Sequence, residues 1–194
     1  MPTLVMMHGM TGSSQMMQSF AEKILPDGWN LLVPQAKFTH PRRGFTWWRY
    51  ENKKDDPKRR ILSSKELDDV DQNLLYLKKL LPDDKLVLGG FSQGGAMAQE
   101  LLQFDLDVIG IIAIATRAVR PLELKMRLEE ISAASLFWMH GEQDHRVSLE
   151  SGAEIAELFE QANWDVTRIQ HQKGHMIPIE FHFSIQKWLE SLAK

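Results

Sequence analysis

Leu86–Gly95 reads LVLGGFSQGG: an apolar run broken by four glycines and a single serine, followed by QGGAMAQELLQF, which has the pattern of a helix. Glycine is a poor way to begin a helix on propensity grounds, so something other than local stability sets this composition. Gly90–Gly94, GFSQG, matches G-x-S-x-G, the turn that lifts a nucleophilic serine off the end of a strand. A serine at such a sharp strand-to-helix turn takes a strained backbone conformation that exposes its hydroxyl. Side chains two positions to either side would collide with neighbouring backbone, which accounts for Gly90 and Gly94. Gly95, Ala96 and Ala98 then let the helix lie close to the sheet. The pentapeptide also arises by chance, and glycine-rich turns can cradle phosphate. No Lys-Ser or Lys-Thr pair follows, however, so the phosphate-loop pattern is not met.

Working outward, short apolar runs alternate with helical patterns. Leu4–Met7, Asn30–Val33, Lys85–Gly89, Val108–Ile114, Ser135–Met139 and Trp164–Ile169 read as strands, most of them apolar on both faces. Ser14–Leu25, Ser64–Leu81, Gln93–Gln103, Leu122–Ile131, Leu149–Gln161 and Ile179–Leu192 read as helices. Ser63 or Ser64 caps the second of these, and Pro82 stops it. Strand following helix throughout predicts an α/β fold with a doubly wound, mostly parallel sheet of about six strands, in one domain over residues 1–194.

In such a sheet, ligands sit where strands turn into helices at their carboxyl ends. A serine needs a base, and the base an orienter. The chain order Ser, Asp or Glu, His is met in HGEQDHRV, His140–Val147, and KGHMIP, Lys173–Pro178, each following a strand. Asp144 is favoured as orienter over Glu142, because HG-x-x-D leaves room for a turn. His175, preceded by a glycine in the last loop, is favoured as base over His140, His145 and His171. Gly174 argues against a helix that would make His171 and His175 a metal pair, so no metal is expected. HGMTG, His8–Gly12, follows the first strand and is placed to aim a backbone amide at a developing oxyanion. Met10 is the candidate, with Thr11 as runner-up and the amide of Gln93 as the other donor. His8 precedes this turn and reads as a structural residue that bonds to the loop's backbone.

Bulk composition narrows the classes further. The chain has 194 residues, 43% hydrophobic and 25% charged, which suits one folded core rather than disorder. A net charge of -3 gives no global pull toward nucleic acid or anionic membrane. The absence of cysteine removes disulfides, thiolate metal sites and a cysteine nucleophile. MPTLVMMHGMTG does not read as a secretory leader and no apolar run is long enough to span a bilayer, so the expected location is the cytoplasm. Residues 40–60, HPRRGFTWWRYENKKDDPKRR, carry eight basic residues around Trp47, Trp48 and Tyr50. RNA stacking is one reading of that mixture. A solvated loop anchored by its aromatics, or a pocket wall, is the favoured one.

Together, HGMTG, WWRYE at 47–51, GFSQGGAMA, HGEQDHRV and GHMIP resemble the α/β-hydrolase superfamily over nearly the whole chain. The likeness is to its phospholipase/carboxylesterase branch, of acyl-protein-thioesterase type. GFSQGG is its most specific element, since members of that branch often carry Gln after the serine. The resemblance implies Ser92 as nucleophile, Asp144 as orienter, His175 as base, and Met10 and Gln93 as oxyanion donors. Trp47 and Trp48, with Met176 beside His175, would line the acyl pocket. The expected activity is hydrolysis of esters or thioesters of small to medium acyl groups through an acyl-enzyme, with no cofactor and a small-molecule substrate. The chain departs from the family in beginning its first strand at residue 3, without an amino-terminal hairpin. It also has HGMTG where glycine usually stands two residues after HG. A non-catalytic binding module on the same scaffold is the alternative.

Overall fold

The computed structural model describes residues 1–50 and 61–192. Six parallel strands form one sheet in the order β2-β1-β5-β6-β7-β8: β1 Thr3–Met7, β2 Asn30–Leu32, β5 Leu86–Phe91, β6 Val108–Ile114, β7 Ser135–Gly141 and β8 Asp165–His171. The helices are α1 Ser14–Ile24, α2 Ser64–Leu80, α3 Gln93–Glu100, α4 Pro121–Glu130, α5 Leu149–Gln161 and α6 His182–Ser191. Short 3-10 turns extend α3 through Gln103 and precede α6 from Ile179. None of the helices described is long and apolar enough to cross a membrane.

The apolar runs are buried on both faces because successive side chains of each strand enter different cores. Val5, Met7, Leu88, Ile111, Leu136 and Trp138 pack toward α2–α5. Leu4, Met6, Val87, Ile112, Phe137 and Met139 pack toward α1 and α6. At the two edges the pattern thins: β2 is partly exposed, and β8 alternates toward solvent along DVTRIQH.

Parallel register brings the carboxyl ends of β1, β5, β6, β7 and β8 to one rim, with Met7 opposite Gly90 and Phe91 opposite Ile114. The sequence reading ends the β5 strand at Gly89, but it continues through Gly90 and Phe91 to the serine. The sequence reading also lacks a two-stranded antiparallel hairpin, β3 Phe38–Thr39 and β4 Phe45–Thr46. Its strands are two residues long among arginines, too short for a periodic signal. It docks on the HGMTG turn: Thr11 N–H donates to Phe45 O at 2.9 Å and Phe45 N–H to Gly12 O at 2.9 Å. Ser63 is the cap of α2, in a reciprocal box with Glu66.

Two buried histidines fix loops on this rim. His8 donates from Nδ1 to Gly9 O at 2.8 Å, and its Nε2 accepts from Gln35 and from Ala36 N–H. His140, with no exposed surface, stacks on Trp138, and its Nε2 donates to Val147 O at 3.0 Å. Burial holds both rings, and that of His171, below the usual imidazole range.

Two predictions follow from this packing. A Cβ at Gly94 would stand 2.1 Å from the Met7 carbonyl oxygen, whereas one at Gly28 meets nothing within 4 Å but carries a φ of +79°. Gly94→Ala should therefore lose about 3 kcal/mol or more in urea unfolding. Gly28→Ala should lose only about 1 kcal/mol, for its left-handed backbone. Because the unfolded chain protonates near the ordinary histidine value and the buried rings do not, acid favours unfolding. Stability is full above that value and falls as pH drops toward the lowered ones. Urea midpoints should decline from pH 7.5 to 5.5, with a shallower decline in His140→Gln.

Candidate active site

Ser92 sits between β5 and α3 with φ 55° and ψ -119°, a conformation that an L-residue adopts only when its surroundings enforce it. Here they do. Ser92 N–H donates to Ile114 O at 2.9 Å, and its carbonyl accepts from Ala96 N–H and from the Thr116 hydroxyl at 2.7 Å. A Cβ at Gly90 would lie 2.4 Å from the Gly94 carbonyl carbon, so the strand and helix touch backbone to backbone. The Ser92 side chain makes no capping bond to α3 and is left free to point outward.

The structure brings three distant residues together at this hydroxyl. His175, on the loop after β8, lies with Nε2 3.0 Å from Ser92 Oγ and Nδ1 2.6 Å from Asp144 Oδ2. The Phe91 ring packs on the imidazole at a centroid distance of 4.8 Å. Asp144 is buried in the turn after β7, where its Oδ1 accepts from the amides of Arg146 and Val147 at 2.8 and 2.9 Å. Burial alone would raise its pKa. The bonds from His175, Val147 and Arg146 outweigh burial and hold the carboxyl below its ordinary value. An ionised Asp144 requires the proton on His175 Nδ1, which leaves Nε2 as an acceptor facing Ser92.

The competing candidates lie elsewhere. Glu142 is exposed and accepts from Gln170 at 3.0 Å. His145 is exposed, His171 Nδ1 accepts from Lys173 N–H, and His140 is held by Val147. His140 Nε2 does come within 3.5 Å of Asp144 Oδ2, the oxygen that His175 Nδ1 approaches to 2.6 Å. Among the described residues, no group of three or more His, Asp or Glu is arranged to hold a metal ion.

The backbone donors are also separated. Thr11 N–H is committed to Phe45 O, while Met10 precedes it in the same turn and Gln93 supplies the first amide of α3. The Gln93 side chain has a part that the sequence reading missed. Buried, it accepts at Oε1 from Thr46 Oγ1 and Trp47 N–H and donates to Trp48 O. Asn73 donates to Trp47 O, and Arg49 forms a two-pronged bond with Asp69. No local sequence signal marks these partners, because they lie 20 to 47 residues away.

Trp47 and Trp48 are thereby turned inward, with 0% and 4% exposure, and the Trp47 indole donates to His8 O at 2.7 Å. They anchor the segment after β4, and neither borders the apolar-walled cavity between α2, α4 and α5. That cavity, of about 430 Å³, is walled by Leu62, Leu67, Ala118, Val119, Ile155 and Leu158. Arg117, in its wall, follows Thr116, the residue bonded to Ser92 O. Met176 is 44% exposed at the rim. The basic stretch 51–60, to which the RNA reading also applied, lies outside the described residues.

Comparison with known proteins bears on this site. The model of the Phospholipase/Carboxylesterase family matches residues 1–193. Acyl-protein thioesterase 1 of Neurospora crassa is 32% identical over 120 residues, a stretch covering 59% of this chain and 49% of that protein, so about half the relative's length is matched. Acyl-protein thioesterase 2 of Zea mays superposes with a TM-score of 0.79 at 20% identity, covering 100% of this chain and 94% of that one. Esterase PE8 superposes with a TM-score of 0.76 at 22% identity, covering 98% and 92%. At these identities the superpositions speak for the fold, which is that of the α/β hydrolases. With its family match running to the penultimate residue, the chain belongs to the phospholipase/carboxylesterase family.

Proposed function

We propose that this protein is a serine hydrolase that cleaves carboxylic esters or thioesters of small to medium acyl groups by way of an acyl-enzyme. The observation that carries this reading is the continuous chain Ser92 Oγ, His175, Asp144, with links of 3.0 and 2.6 Å. Membership of the family adds support.

In the reaction, Ser92 Oγ attacks the substrate carbonyl carbon and its proton passes to His175 Nε2. Asp144 keeps the imidazole oriented and stabilises its charged form. The tetrahedral oxyanion is met by the amides of Met10 and Gln93, which are fixed before the substrate arrives and so need no reorganisation. Collapse expels the alcohol or thiol, which takes the proton back from Nε2. Water, deprotonated by the same nitrogen, then releases the acid. The side chains present supply every proton transfer, so the scheme uses no cofactor. The apolar walls of the cavity past Thr116, Leu62, Leu67, Val119, Ile155 and Leu158 among them, are suited to an acyl chain.

Ser92→Ala and Asp144→Asn should each lower kcat/KM for p-nitrophenyl butyrate by a thousandfold or more, as expected when one member of a working triad is lost. Thermal unfolding of Ser92→Ala should stay cooperative. Intact-protein mass spectrometry with a fluorophosphonate should show a single adduct in the parent and none in Ser92→Ala. Undiminished turnover in Ser92→Ala, or labelling that survives the substitution, would reject the assignment.

A further inference from the structure

Beyond the cavity past Thr116 lies a second hollow, of about 520 Å³, between α2, α4 and the end of α3. Its apolar walls are Leu74, Leu102, Phe104 and Leu124. The two are consecutive along α2. Leu67 borders the first, whereas Asp71 and Leu74, one and two turns on along the same stripe, border the second. Arg120 and Glu123, in the first turn of α4 and just before it, stand in the walls of both.

Arg120 is fastened at this boundary. One guanidinium nitrogen is 2.6 Å from Asp71 Oδ1 on α2, and the other is 2.5 Å from Glu100 Oε2 at the end of α3. Glu100 is 8% exposed and pairs with Arg120. Beside it the side-chain Oε1 of Gln99, buried in the same wall, has no hydrogen-bond partner. An arginine joining half-exposed Asp71 to buried Glu100 between two apolar-walled hollows adds little to the core, since hydrophobic residues of similar volume would serve the buried half as well or better.

We propose that Arg120 is a specificity-determining residue: held by Asp71 and Glu100, its side chain is the partition that ends the acyl cavity and sets the longest chain the enzyme accepts. The proposal rests on the reading of the protein as an acyl hydrolase. A chain that outgrows the first cavity has to push Arg120 off a buried carboxylate. The penalty for leaving that carboxylate unpaired equals the gain from burying roughly four to six methylenes. The next few carbons therefore do not recover it, and the cavity behaves as closed. Removing the guanidinium joins the two hollows into one longer channel.

The test compares the parent protein with Arg120→Ala combined with Glu100→Gln, so that no charge is left buried and unpaired. Across p-nitrophenyl esters from two to sixteen carbons, the parent kcat/KM should rise about fourfold per methylene up to a break and then fall. In the double variant the break should move at least four carbons higher, with each profile normalised to its own acetate ester. If that pair fails to fold, Arg120→Gln with Glu100→Gln keeps a neutral, more easily displaced partition and should move the break the same way. A separate measurement needs no turnover. In Ser92→Ala, calorimetric affinity for hexadecanoate relative to octanoate should rise tenfold or more when the Arg120 and Glu100 changes are added. An unmoved break together with an unchanged affinity ratio overturns the proposal. Absence of ester hydrolysis in the parent overturns the proposed function instead, and the fatty-acid ratio then decides the partition alone.

Discussion

The contact on which the rest depends is the approach of α3 to β1 at Gly94, so close that a methyl group there would sit 2.1 Å from a carbonyl oxygen of Met7. No other residue type permits it. With the helix pressed that near the sheet, the chain leaving β5 has a single residue in which to reverse, and Ser92 accepts a positive φ because its amide and carbonyl are both held. The same approach brings the first amide of α3 alongside the turn that follows β1. An exposed hydroxyl and a pair of nearby backbone donors are thus two results of one packing constraint.

A second layer of fastening keeps the rim in place. Gln93, one residue past the serine, spends its whole side chain on the segment 46–48, and Asn73 and Asp69 hold that segment from α2. Trp47 closes the circuit by bonding the carbonyl of His8. The elbow, the β1 turn and the hairpin therefore share partners, so a substitution in one is felt in the others.

Much of this was legible in the chain. The continuous apolar runs marked strands covered on both sides, and GFSQG, HGEQD and KGH each stand directly after such a run, so their positions on one rim followed from parallel topology. Met10 was named ahead of Thr11 from the turn alone; the bond that occupies the Thr11 amide, to Phe45 O, was not legible, because it belongs to a hairpin too short to leave a pattern. That aromatics anchor this stretch was one of the two favoured readings, but the choice between anchor and pocket wall for Trp47 and Trp48 was hidden. An aromatic pair in a basic stretch looks the same whether its rings face a ligand or a buried amide, and Asn73 and Gln93 decide the matter from far away in the sequence. Arg120 gave no signal at all, since its partners sit 49 and 20 residues distant.

The edge position of β8 has one more implication. The loop after it carries His175 and is tied to the β7 loop by Glu142 N–H to His171 O and Gln143 N–H to Lys173 O, so imidazole and carboxylate ride on one peripheral clasp. The hydroxyl rides on the centre of the sheet. β6 and β7 stay paired beneath the rim, and Ala115 N–H donates to Met139 O, while at the rim the two sides meet in the link from Ser92 Oγ to His175 Nε2 and the contact of Phe91 with that ring. In the proposed reaction that link is the one the attack breaks, and the bond of His175 to Asp144, held on the clasp, is not needed to let the serine go.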